Sequence, residues 1–125
     1  MRLLLDTHTL VWAMQGGDRL TPTTRERIQS RATPVYVSVA SIWELAIKAT
    51  KGKFSMPPDV PGTVADAGFI MLDIKLDHAL AAANLSLHHR DPFDRMLVAQ
   101  AITEDMVLVT RDATLPRYGV SILAA

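Results

Sequence analysis

The 125-residue chain contains no cysteine. Disulfides and thiolate metal sites are therefore excluded, and the composition fits a reducing cytoplasm. No stretch approaches the roughly 20 apolar residues of a membrane-spanning helix. The opening run Leu3–Leu5 is cut off by Asp6, so a secretory leader is not expected. Several catalytic signatures are missing as well. There is no glycine-rich phosphate loop, no HExxH and no GxSxG, which removes the residues needed for nucleotide-switch, zinc-protease and α/β-hydrolase chemistry. His8, His78, His88 and His89 are read as loop or helix-end histidines, because adjacent His88 and His89 rarely serve one ion. Internal repeats, linkers and low-complexity tracts are also absent. Net charge is zero, with 13 basic and 13 acidic side chains.

What remains is apolar and periodic. Hydrophobic residues make up 49% of the chain, high for one domain of this length, and the surplus points to some surface covered by a partner. Short β-branched or leucine-rich segments alternate with helical ones. Strands are expected at Arg2–Leu5, Val35–Val37, Phe69–Leu72 and Met106–Val109, with a fifth at Val120–Leu123. Helices are expected at Thr7–Met14, from Thr21 to about Arg31, from Ser38 to about Lys51, at Lys75–Leu85 and from Asp91 to about Thr103. Met56–Gly62 reads as a proline-rich loop followed by a weak helix at Thr63–Ala67. In the helix after Ser38, the spacing of Val39, Ile42, Trp43, Ala46 and Ile47 predicts the core-facing stripe. This alternation predicts a single α/β domain with a mainly parallel sheet covered on both faces.

Four carboxylates fall at strand-to-helix transitions: Asp6, Glu44, Asp94 and Asp112. Taken singly, each has an ordinary use. Asp6 and Asp112 suit helix N-caps. Glu44 suits an exposed pair with Lys48, or a capping box with Ser41. Asp94 favours the first turn of a helix capped by Asp91. Together they converge on one sheet edge, where parallel folds bind ligands. Two unpaired carboxylates about 4 Å apart repel by roughly 4 kcal/mol at an effective dielectric near 20. Such a set calls for protons or for a hard divalent cation, Mg2+ or Mn2+, and for metal-assisted hydrolysis of a phosphodiester. With four acids pooled there, the remainder carries nine acids against 13 bases, a body suited to nucleic acid. Lys48, Arg95 and Arg111 are the candidates for holding its phosphate backbone.

The segments MRLLLDTHTL (1–10), VSVASIWELAIK (37–48), HRDPFDRMLVAQA (89–101) and LVTRD (108–112) follow one another in an order that resembles PIN-domain ribonucleases, in particular VapC-like toxins of prokaryotic toxin–antitoxin pairs. The resemblance covers nearly the whole chain. It implies a single domain, residues 1–125, as an α/β/α sandwich on a mainly parallel sheet of four to five strands. It implies an acidic Mg2+ or Mn2+ site of Asp6, Glu44, Asp94 and Asp112, supported by Thr7 and Thr110, with Asp91 just outside. It further implies RNA cleavage, a homodimer and inhibition by a VapB-like antitoxin. Two readings compete with it: a PIN fold that binds RNA or protein without cutting, and a metal-dependent phosphatase. The second lacks a further Asp near Asp6, where His8 stands.

Overall fold

The computed structural model describes residues 1–125. Five strands, β1 (Leu3–Leu5), β2 (Val35–Ser38), β3 (Ile70–Leu72), β4 (Val107–Thr110) and β5 (Ile122–Ala124), form one sheet in the order β3-β2-β1-β4-β5. Every neighbouring pair is parallel. Central β1 pairs Leu3 with Val35 on one side and with Val107 on the other. All three of its leucines are fully buried, as expected for a strand covered on both faces.

Six helices cover the sheet: α1 (Thr7–Met14), α2 (Pro22–Gln29), α3 (Val39–Thr50), α4 (Val60–Asp66), α5 (Leu76–Asn84) and α6 (Pro92–Thr103). The period-two alternation of β1 divides the core. Leu3 and Leu5 pack with Leu10 of α1, Ile28 of α2 and Leu45 of α3. Leu4 packs on the other side with Leu97 and Val98 of α6 and with Leu115 of a 3-10 turn, Leu115–Tyr118. The result is the three-layer sandwich anticipated above. No helix is long and apolar enough to cross a membrane.

Helix starts are set by side chains. Asp6 caps α1, Thr21 caps α2, Ser38 caps α3 and Asp91 caps α6, each accepting a first-turn N–H. Two expectations need correction. α4 begins at Val60, inside the proline-rich stretch, because Asp59 accepts from Gly62 N and Pro61 falls in the first turn, where no N–H is required. In α3 the buried stripe is Ala40, Ser41 and Leu45, whereas Trp43 is 59% exposed and Val39 also faces solvent. The helix is rotated because small Ser41 meets α1, where its hydroxyl lies 3.1 Å from that of Thr7. Ser38, not Ser41, is therefore the cap.

Candidate metal centre at the carboxyl edge of the sheet

The parallel arrangement carries the C-terminal ends of β1 and β4, and the helices that follow them, to one edge. An open cleft of about 310 Å³ lies there, lined by Asp6, Glu44, Asp94 and Asp112 together with Asp91 and Arg111. Thr7, His8 and Trp12 complete its walls. All four predicted acids thus reach one space from four separate segments.

Asp6, Glu44, Asp91 and Asp112 are each held by bonds within the chain. Asp6 follows β1 and is 5% exposed. Its Oδ1 accepts from Thr9 N at 2.8 Å and its Oδ2 from the Thr110 hydroxyl at 2.6 Å. Asp6 therefore caps α1 and faces the cleft at once. Glu44 Oε1 accepts from the Thr7 hydroxyl at 2.7 Å, and Oε2 pairs with Lys48 Nζ at 3.1 Å. Thr7 and Thr110, expected as supports, each orient one carboxylate. Asp91 Oδ1 accepts from Phe93 N at 2.8 Å and from Asp94 N at 3.4 Å, which fixes the turn on which Asp94 stands. Asp112 follows β4, and its Oδ1 accepts from Thr114 N at 2.8 Å.

The electrostatics follow from this crowding. Burial, then the charge of Asp91, pushes the Asp94 carboxyl from 3.8 up to about 7. His89 opposes the rise, and Asp6 and Glu44 add to it. Burial works against charge at Asp112 too, but the bonds from Thr114 N–H and His89 outweigh it and hold that carboxyl below the ordinary range. Burial is the main cost of charge at Asp94 and the neighbouring acids add to it, so a cation among these oxygens would favour the ionised form. The donor set is all oxygen from the four acids, which fits a hard divalent cation.

His89 is the residue that sequence reasoning missed. Its Nε2 lies 3.0 Å from Asp112 Oδ2 and 3.4 Å from Asp94 Oδ2. The three groups lie close enough to hold an ion. The bonding pattern argues for another role. His89 Nδ1 accepts from Asp91 N at 3.0 Å, so the ring proton sits on Nε2 and points at the two carboxylates. His89 is thereby a donor to the acids, and its lone pair is committed to the backbone. The only advance signal was its place two residues before Asp91.

The basic candidates separate. Lys48 lies at the cleft margin, paired with Glu44. Arg111 forms one wall: its guanidinium stacks 4.4 Å from the Trp12 ring centroid and donates to the carbonyls of Ala125 and Arg19. Arg95 does not line the cleft. It donates to the carbonyls of Ala82, Leu85, Ser86 and His89 and to the Tyr118 hydroxyl, tying the α5–α6 connection to the 3-10 turn. Its expected place on RNA backbone is withdrawn, because its donors are used within the chain.

A family model described as PIN domain matches residues 3–120. The chain therefore belongs to the PIN-domain family. Its fold is similar to that of VapBC2 from Rickettsia felis bound to a promoter DNA fragment, with a TM-score of 0.70 and 15% identity over 98% of each chain. It is equally similar to DNA-bound VapBC from Salmonella typhimurium, with a TM-score of 0.70 and 20% identity over 98% of this chain and 97% of that one. VapBC-5 from Mycobacterium tuberculosis matches with a TM-score of 0.62 and 15% identity over 99% and 98% of the two chains. No protein of curated function matches the sequence.

Proposed function

We propose that this chain is a Mg2+- or Mn2+-dependent endoribonuclease, the toxin of a VapBC-type toxin–antitoxin pair. The observation that carries the reading is the convergence of Asp6, Glu44, Asp94 and Asp112 on one cleft, with the Asp94 carboxyl raised to about 7 by burial and its acidic neighbours. Those four side chains would hold the cation. Bound there, it would lower the pKa of a water and offset charge on the scissile phosphate.

The chain's own groups prepare that site. The Thr110 and Thr7 hydroxyls and Thr9 N–H aim Asp6 and Glu44 while leaving each an unshared oxygen lone pair toward the cleft. His89 N–H holds Asp112 in place. With a cation held there, the ionised form of Asp94 would be favoured, and the proton that burial and the neighbouring acids retain would be released. Lys48 and the open edge of Arg111 stand beside the cleft for substrate phosphates.

Antitoxin pairing rests on the family and on solved relatives described as VapBC complexes. Homodimerisation draws support from apolar side chains left open on β3 and α5, namely Ile70, Met71, Leu76 and Leu80. A cytoplasmic location follows from the toxin reading. The test is incubation of the purified chain with structured and single-stranded RNA in Mg2+, Mn2+ or EDTA. Metal-dependent internal cuts that disappear in Asp94→Asn are expected. Intact RNA under every metal condition, with binding retained, would favour a non-cutting PIN module.

A further inference from the structure

Adjoining the acidic cleft is a second, more open groove of about 500 Å³ with opposite charge. Glu44 and Asp91 form the shared boundary; beyond them stand Lys48, Lys51, Lys53 and Arg90 around Phe93. Both boundary acids are engaged, Glu44 by Lys48 and Thr7 and Asp91 by the N–H groups of α6. Lys51, Lys53 and Arg90 are exposed and carry no ion pair within the chain. Three unneutralised cations thus line one wall within reach of the proposed catalytic cleft.

At the head of this groove is an aromatic pair. Trp43 and Phe93 meet edge to face with ring centroids 5.1 Å apart. Phe93 is half-buried, while Trp43, one residue before Glu44, remains mostly open. The α3 rotation that buries Ser41 is what turns this large apolar ring outward. An exposed aromatic ring beside a cationic groove matches the two needs of an unpaired strand: a π-face for a base and cations for its phosphates.

We infer that this groove seats the nucleotides flanking the scissile bond, with Lys51, Lys53 and Arg90 on consecutive phosphates and a base stacked on Trp43. The inference rests on the RNA-hydrolase reading and narrows its substrate to single-stranded or splayed-out RNA. In an A-form duplex the base faces are already stacked on one another, so Trp43 has nothing to grip. The strand would then run from the lysine wall, past Phe93, to the acidic cleft.

Binding of a fluorescein-labelled single-stranded RNA of mixed sequence, and of the same sequence as a duplex, tests this by anisotropy across a salt series. The full chain is used with Asp6→Asn to prevent cutting. The combined variant Lys51→Ala, Lys53→Ala, Arg90→Ala should lower the log–log salt slope by about two, at about 0.7 per phosphate contact. Trp43→Leu should weaken single-strand binding about 5- to 100-fold and leave duplex binding unchanged. Trp43 emission should also be quenched by the single strand, read in a Trp12→Phe background. Unaltered slope and affinity in both variants, with the parent binding RNA, overturn the inference and leave the hydrolase reading standing. A parent that binds no RNA overturns both. RNA binding that is retained while Trp43→Leu or the triple variant changes particle mass by light scattering marks the face as a protein contact and also overturns it.

Discussion

The Asp94 carboxyl stands on the first turn of α6, half-buried, with Asp91, Asp6 and Glu44 all adding to the cost of its charge. Between its ordinary value of 3.8 and about 7, the folded chain therefore holds a proton that the unfolded chain has released. More protons are bound in the native state, so the metal-free protein loses stability as pH rises through that window. The loss is at most about 4 kcal/mol, at 1.36 kcal/mol for each unit. Urea unfolding in EDTA at about pH 5 and about pH 8 should show the part of it that lies above pH 5, about 3 kcal/mol at most, and Asp94→Asn should flatten the difference. Asp112, and Glu104, whose carboxylate is held low chiefly by its 2.8 Å bond with His78 Nε2, act in the opposite sense and withdraw their support only as pH falls through the carboxylate range. The same proton would compete with a cation bound at these carboxylates. Mn2+ affinity should weaken by about tenfold for each pH unit below about 7, and calorimetry should register proton release on binding. A pH-independent affinity would contradict the role given to Asp94.

α6 shows how one element serves fold and site together. Asp91 caps it, Asp94 faces the cleft from its first turn, and Leu97–Ala101 are buried against the sheet. Asp91→Ala should destabilise the chain by about 1 kcal/mol and lower activity, because the turn carrying Asp94 loses its anchor; Asp91→Ser should restore most of both, measured by chemical unfolding and RNA cleavage. This much was legible from the Asp-Pro-Phe-Asp spacing and the apolar run after it, since caps and helical periods are local properties. The strands were legible for the same reason. His89 and Arg95 were not. Their partners, Asp112 and the carbonyls of Ala82 and Leu85, are brought to them only by the path of the α5–α6 connection. The stripe on α3 was misphased because the contact that rotates the helix, Thr7 with Ser41, is tertiary. Trp43 was consequently assigned to the core and is found outside.

The whole molecule presents three chemically distinct surfaces. The acidic cleft sits at the C-terminal edge of the sheet, the cationic groove lies beside it, and an apolar face is left on β3 and α5. Neutral net charge conceals this division, because the acids are gathered and the free bases lie apart. If the apolar face joins two copies, Leu80→Glu should convert the particle from dimer to monomer by light scattering while the isolated domain stays folded. An unchanged mass would move that face from self-association to another partner.

Asp6, Glu44, Asp94 and Asp112, drawn from four separate segments, are proposed to hold one or two divalent cations between them. The most direct measurement is anomalous diffraction from crystals soaked in Mn2+. A peak is expected within about 2.5 Å of carboxylate oxygens from at least two of Asp6, Glu44, Asp94 and Asp112, absent in Asp94→Asn. A saturating soak that leaves the cleft without a peak, or that places manganese at some other cluster, would contradict it.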